Sequence, residues 1–421
     1  MQNQHARVGG LSPAQISAVA AGNALEFYDF LIFGFFAVQI GAVFFPGHSP
    51  TGSLLLTLAT FGVGFLTRPL GGALIGPLGD RIGRKPAMLF SFGLMGLAIV
   101  GLALTPSYAS IGVAAPALVV LFRLLQGFAL GGEVGPTTAF LMEAAPPERR
   151  GLYVSLQFAT QQAAILAAGL VGVILAKLLS AADLTAWGWR AAMLLGATVV
   201  PFALAMRRRL PETFERQPDI QAPRPTRAQI KLGLLMLVMV ASATIATYTL
   251  NYVNIYATHN LGMSPVLAFG AVAVAGTCGA IFNPVGGWLS DQFGRKPVMI
   301  CAFGLLCLVG LPCFLVISNF RTPAALYGCT ALMATLLALG LPTIIASLSE
   351  SLPPQMRSGG IAIVYAVAVA TFGGTASFVV AWLIEVTGSP LAPAWYMCAA
   401  LLLGLAGMMG VRESAPIKVG P

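Results

Sequence analysis

The chain has 421 residues, of which 57% are hydrophobic and only 9% charged, with a net charge of +9 and a mean hydropathy of +0.85. A soluble chain carries roughly a quarter charged residues because its surface faces water, so most of this chain must face lipid. That excludes a cytosolic enzyme, a secreted disulfide scaffold and a disordered tail protein.

Residues 1–13 are polar and lead into the first apolar run without a small-residue cleavage site, the pattern of a retained span and not of a removed signal peptide. Apolar runs long enough to cross ~30 Å of hydrocarbon recur at 14–44, 53–78, 87–105, 113–144, 152–180 and 188–206. A second set follows at 230–257, 265–289, 298–318, 323–347, 359–386 and 392–411. Continuous apolar runs specify helices, because barrel strands would alternate in short segments. The expectation is an all-α membrane protein of twelve transmembrane helices, with a six-helix bundle over 1–206, a linker over 207–229 and a second six-helix bundle over 230–421. The linker, with six arginines and four prolines, reads as solvated.

The six cysteines all lie in apolar runs of the second half, without C-x-x-C spacing, and read as small reduced core residues. Eighteen of the twenty-three basic residues fall on the face that carries the linker, three fall on the other, and Arg68 and Arg123 lie inside spans. By the positive-inside rule both termini and the linker are cytoplasmic in a bacterial-type inner membrane. The positive charge is thus an orientation signal, and nucleic acid is not expected as a partner.

The loop after the second span reads GPLGDRIGRKPAM (Gly76–Met88), and the loop after the eighth reads GWLSDQFGRKPVM (Gly287–Met299). Eight of the thirteen positions are identical at an offset of 211, half the chain, which points to duplication of a six-helix unit. Repeated hydrophobic bundles are the architecture of secondary transporters, whose halves rock around a central site. Charge alone does not require the matched Asp80 and Asp291, or Gly83 and Gly294. Glycine permits the tight turn, and an aspartate at a helix end can satisfy orphan amides or pair with arginine. Gly76, Asp80, Arg81, Gly83, Arg84, Asp291, Gly294 and Arg295 are therefore candidate gating residues.

These loops resemble the signature of the major facilitator superfamily, and the resemblance covers essentially the whole chain. GNALEFYDF (Gly22–Phe30), TRPLGG (Thr67–Gly72), RLLQGFALGGE (Arg123–Glu133), PPERRG (Pro146–Gly151) and RRRLPET (Arg207–Thr213) resemble its metabolite:proton symporters. LYVSLQFATQQ (Leu152–Gln162) is most similar to the citrate and tricarballylate members. The resemblance implies two pseudo-symmetric six-helix bundles and proton-coupled uptake of a small organic acid.

Ionisable groups inside lipid spans cost at least ~2.5–3.5 kcal/mol each and are functional candidates. Glu26, Arg68 and Glu133 each lie twelve residues, ~18 Å, from a cytoplasmic boundary and could share one layer, pairing as Arg68–Glu133 or Arg68–Glu26. Glu26 and Asp29, three residues apart near one helical face with Asn23 beside them, suit a proton carrier, since paired carboxylates in low dielectric raise at least one pKa. Arg123 is twenty-two residues from Ala145, ~33 Å along an untilted helix, so it either snorkels to the outer interface or faces a central cavity. Its place in R-x-x-Q-G, with Gln126, matches the family's arginine in the fourth helix and implies the cavity. A guanidinium fork suits a carboxylate. Gln157 and Gln161 stack at i, i+4 and offer amide donors, or else join helices. In the seventh span Tyr248, Tyr252 and Tyr256 repeat every four residues as one hydroxyl stripe beside Asn251. Glu350 and Glu385 lie at span ends and read as solvated.

The expected function is proton-coupled symport of citrate or a related tricarboxylate or dicarboxylate by alternating access. Substrate contacts are Asn23, Arg123, Gln126, Gln157, Gln161, Tyr248, Asn251 and Tyr252, and proton coupling falls to Glu26, Asp29, Arg68 and Glu133. The in-span charges sum to minus one, so a betaine- or proline-like zwitterion or a drug remains an alternative within transport, and a membrane sensor one outside it. No P-loop, H-E-x-x-H or G-x-S-x-G motif occurs, so an enzyme is not expected. The partners are the organic acid, protons and the bilayer; a monomer without cofactor or metal is expected.

Overall fold

The computed structural model describes residues 27–82, 84–131, 145–197, 226–352 and 363–419, apart from the side chains of 76–89, Ala228 and Val419. Every element among them is helical. The first six helices are α1 (Phe27–Phe35 and Ala37–Phe44, bent by 67°), α2 (Pro50–Leu66, continued as Arg68–Ile82), α3 (Arg84–Leu104), α4 (Ala114–Leu130), α5 (Arg150–Leu178) and α6 (Trp189–Ala197). The second six are α7 (Arg227–Asn251), α8 (Pro265–Phe293), α9 (Arg295–Phe320), α10 (Pro323–Ser351), α11 (Ile363–Thr387) and α12 (Ala392–Gly410).

Among the described residues eight helices are long and apolar enough to cross a membrane, and the bent α1 makes a ninth. The described parts of α3, α4 and α6 are shorter but occupy the remaining predicted spans in order.

Local chemistry sets the helix starts. Ser49, Ser264 and Thr322 each accept a backbone N–H in the first turn, with Pro50, Pro265 and Pro323 next in line, and Thr226 with Gln229 forms a reciprocal capping box. Between α8 and α9 the chain reverses at Gly294, whose φ of +103° is a conformation side chains resist.

The two bundles meet along α5 with α8 and α2 with α11. A Cβ on Gly151 or Gly287 would collide across the first seam, and one on Gly62 would strike the Gly374 carbonyl across the second. Small residues replace a hydrophobic driving force here, because close backbone approach gains van der Waals contact that lipid cannot supply. The α2–α11 seam leads to the chemistry.

Candidate functional site

Where α1, α2 and α4 converge, the phenylalanines form a continuous aromatic cluster. Phe30 packs edge-on to Phe65 at 4.7 Å and tilted against Phe61 at 5.2 Å, and Phe61 meets Phe65 at 5.4 Å. Two guanidinium groups stack into this cluster. Arg68 lies 4.3 Å from the centres of both Phe30 and Phe65, and Arg123 lies 4.3, 4.7 and 5.0 Å from Phe30, Phe33 and Phe61. Desolvated cation–π contacts are worth about 2 kcal/mol each, which offsets part of the cost of burying the charge.

Arg123 is fully buried. It donates to the Gln126 side-chain oxygen and to the Phe61 carbonyl at 3.2 Å, while its Nε has no hydrogen-bond partner among the described residues. Gln126 in turn donates to the Asp29 main-chain oxygen at 3.4 Å, tying α4 to α1. Among the described residues no carboxylate is bonded to Arg123.

The second bundle closes the cluster with Tyr248 of α7, whose ring lies 5.7 Å from Phe65 and 6.2 Å from Phe61. In α11 a π-helical turn at Val369–Gly373 brings Gly373 so close that a Cβ there would meet Tyr248, Thr244 and Phe65.

The arrangement settles the two placements of Arg123: it is core, not snorkelling. Counting along straight helices put Arg123 far above Arg68, yet both reach the same Phe30 ring. Helices α2 and α4 run side by side, with Gly64 against the Arg123 backbone and the Thr67 hydroxyl donating to the Leu124 carbonyl at 2.7 Å. Long side chains span the remaining offset.

Asp29 is buried. Its carboxylate abuts Gly196 of α6, and Oδ1 has no hydrogen-bond partner among the described residues. Gln157 and Gln161 are buried within α5, and Asn251 is half-buried at the end of α7. The tyrosine stripe keeps its four-residue register: the Tyr252 N–H donates to the Tyr248 carbonyl at 2.9 Å and the Tyr256 N–H to the Tyr252 carbonyl at 2.8 Å, and the π-helical turn at Tyr256–Asn260 begins where the stripe ends. Tyr252 then donates to Asn260 at 3.4 Å and Tyr256 to the Pro390 carbonyl at 2.8 Å, both inside the second bundle. Asn23, Glu26, Glu133 and Gly83 lie outside the described residues, as do the side chains of Gly76, Asp80, Arg81 and Arg84.

At one end of the molecule the second copy of the repeated loop joins the bundles. Asp291 accepts the backbone N–H groups of Gly151 and Leu152, at the start of α5, at 2.9 Å each. Its Oδ1 also accepts from Arg295 at 2.6 Å, and Arg295 is held bidentately by Glu350 at 2.9 and 3.1 Å. Glu350 is therefore not solvated, as its position at a span end suggested, but 4% exposed in its side chain and fully engaged. The tail adds a second acid: Glu413 accepts from the N–H groups of Arg295 and Lys296, capping α9. At the opposite end Asn254 donates to the Phe35 carbonyl at 2.7 Å, and Thr51 and His259 approach to 3.4 Å.

Sequence reasoning missed Phe30, Phe61 and Phe65, which looked like ordinary apolar filling, along with Glu350 and Glu413. Arginine inside a span was the signal that could have prompted a search for aromatic partners.

A family model described as Sugar (and other) transporter matches residues 15–217, and one described as Major Facilitator Superfamily matches residues 234–419. A citrate-proton symporter of Klebsiella pneumoniae is 34% identical, over 95% of this chain and 92% of its own. An alpha-ketoglutarate permease of Escherichia coli is 34% identical over 91% and 89%, and a proline/betaine transporter of Salmonella typhimurium 32% identical over 96% and 84%. The crystal structure of a D-xylose-proton symporter superposes with a TM-score of 0.77 over 95% of this chain and 98% of its own, at 18% identity, a likeness of fold alone.

Proposed function

The chain belongs to the major facilitator superfamily, among its metabolite:proton symporters, and is a multi-pass membrane transporter and not an enzyme; from that premise we propose that it carries a small organic acid, citrate or a related tricarboxylate or dicarboxylate, together with protons. The observation that carries this is Arg123, fully buried, stacked on three rings and with no partner for its Nε among the described residues. A planar fork held rigid by aromatic faces is preorganised for a carboxylate. The citrate-proton symporters and the alpha-ketoglutarate permease among the relatives support the same chemistry.

In this reading the substrate carboxylate docks on Arg123 and Gln126, with Arg68 and Tyr248 alongside and Asn23, Gln157, Gln161, Asn251 and Tyr252 on the surrounding wall. Asp29, with Glu26 and Glu133, carries the proton. A buried carboxyl that is neutral while the substrate is bound lowers the cost of closing the site away from water. Release of the proton on the cytoplasmic side restores the carboxylate and resets the carrier. The Asp291–Arg295 contacts to α5, and their counterparts at Gly76, Asp80, Arg81, Gly83 and Arg84, close the cytoplasmic end during part of the cycle, and each ligand shifts the balance of states by its differential affinity for them.

A second reading is a betaine- or proline-like zwitterion. It is favoured by the ring cluster, which could also accept a quaternary ammonium, and by the proline/betaine transporters among the relatives. Proteoliposome uptake separates the two. Labelled citrate should enter faster under an inward proton gradient, and Asp29→Asn should abolish that acceleration while sparing citrate exchange. Uptake of glycine betaine but not citrate would establish the second reading, and uptake that needs sodium and ignores pH would remove the proton.

A further inference from the structure

Resting on the organic-acid reading, we infer that Tyr365 of α11, to which no role has been given above, is a specificity-determining residue whose phenol hydroxyl, with that of Tyr248, hydrogen-bonds the substrate held at Arg123. The first observation is position. Tyr365 is half-buried and packs against two hydrophobic clusters, each of which draws residues from both bundles. It lies within electrostatic reach of Arg68 and of Tyr248, and Tyr248 is itself within reach of Arg68 and Arg123. Two phenols from the second bundle thus face two guanidinium groups from the first.

The second observation is what the hydroxyls do. Tyr28, Tyr252 and Tyr256 each commit their hydroxyl to a protein acceptor, the Ala192 carbonyl, Asn260 and the Pro390 carbonyl respectively. Tyr248 and Tyr365 form no hydrogen bond with any described residue. A phenol tip away from bulk water normally finds a partner, and a substrate oxygen supplies one.

The third observation explains why this residue reaches the site. Tyr365 precedes Gly374 by nine residues, and Gly374 packs on the Gly62 backbone of α2. In an unbroken α-helix nine residues turn the chain to about 180°, so Tyr365 would point away from α2. The π-helical turn at Val369–Gly373 lies between them and absorbs one extra residue, which reduces the offset to about 80° and swings Tyr365 toward the centre. Mid-helix π turns weaken backbone bonding, and this one rotates every residue before it in α11, Tyr365 among them, and sets Gly373 against Tyr248.

The phenol adds a donor on the side of the ligand opposite Arg123. A monocarboxylate is satisfied by the guanidinium alone, whereas a di- or tricarboxylate presents a second oxygen cluster to the tyrosine pair. Sites built to hydrogen-bond a substrate group lose affinity steeply when that partner is missing.

The test is Tyr365→Phe in proteoliposomes with labelled citrate, which keeps the ring packing and removes only the hydroxyl. The expected result is a KM for citrate raised about tenfold, a maximal rate within about twofold of wild type, an unchanged melting temperature without ligand, and unchanged inhibition by acetate. A citrate KM equal to wild type, in a preparation where Arg123→Ala abolishes uptake, overturns the assignment of Tyr365 and leaves the organic-acid reading standing. If the wild-type protein takes up neither citrate, alpha-ketoglutarate nor succinate, the organic-acid reading fails and the assignment falls with it.

Discussion

Arg123 and Asp29 illustrate how far a single residue can be read. An arginine within an apolar span is visible at once, because its insertion cost needs a reason. Its neighbours are not visible, since Phe30, Phe33 and Phe61 obey the same apolar pattern as lipid-facing residues and reach Arg123 only through the convergence of three helices. The stack carries a prediction that charge alone does not. Lysine keeps the charge but loses the planar fork and its contact with three rings, and the ammonium would draw water into the cluster. Arg123→Lys is therefore expected to lower citrate uptake at least ~100-fold, since a bidentate contact and stacking are lost together, each worth on the order of 1–3 kcal/mol. Near-normal uptake by the lysine variant would mean that the ring stack is packing only. Asp29, by contrast, reads correctly as buried but not as turned towards Gly196 of α6, because which helix faces a given side of α1 is set by packing between helices and not by a local residue pattern.

At the scale of elements, twelve apolar runs were legible because lipid demands continuous hydrophobicity. What was not legible is where the helices depart from 3.6 residues per turn. The stripe of Tyr248, Tyr252 and Tyr256 keeps its i, i+4 backbone bonds, but the π-helical turns at Tyr256–Asn260 and Val369–Gly373 carry no local sequence signal. The junction of α8 and α9 was half legible: matched Gly and Asp in the repeated loops marked it, but Glu350 and Glu413 arrive from fifty-five and 118 residues away. Burial alone would raise the Glu413 carboxyl, but the N–H groups of Ala415, Arg295, Lys296 and Ser414 together hold it below the ordinary carboxylate range. A carboxyl depressed in the folded state adds stability that is present above its unfolded value near ~4.3 and lost as pH falls through the folded value. Glu413→Gln should thus cost about 1 kcal/mol at pH 7, as for loss of a helix cap. The variant's thermal melts should converge with wild type only in strong acid. A constant gap between the two curves down to that pH would show that the charge of Glu413 contributes nothing to the cap.

For the whole molecule, the repeat at an offset of 211 made the two bundles visible, because duplication preserves loop chemistry after helix faces have diverged. Of the contacts between bundles, the chemistry of Asp291, a carboxylate for orphan amides, was legible but its partner helix was not, and the asparagine that meets a main-chain carbonyl at the other end carried no signal. The asymmetry sets which end is easier to open by mutation. Asp291 offers two charge-assisted bonds to the first turn of α5, where the helix dipole favours a negative charge, and it also neutralises Arg295. Asparagine in its place keeps the shape, loses the charge and leaves Arg295 with Glu350 and the Ser290 hydroxyl. Charge-assisted hydrogen bonds contribute about 1.5–3 kcal/mol each, so losing even part of two of them should shift the closed population at that end by tenfold or more. Hydrogen exchange reports this directly. In Asp291→Asn the amides of Gly151 and Leu152 should exchange at least ~10-fold faster, while those around Phe35 and Asn254 keep their protection, because rocking opens one end with the other shut. Equal loss of protection at both ends would indicate general loosening of the bundle interface, and no change at Gly151 and Leu152 would show that Asp291 does not hold the bundles together.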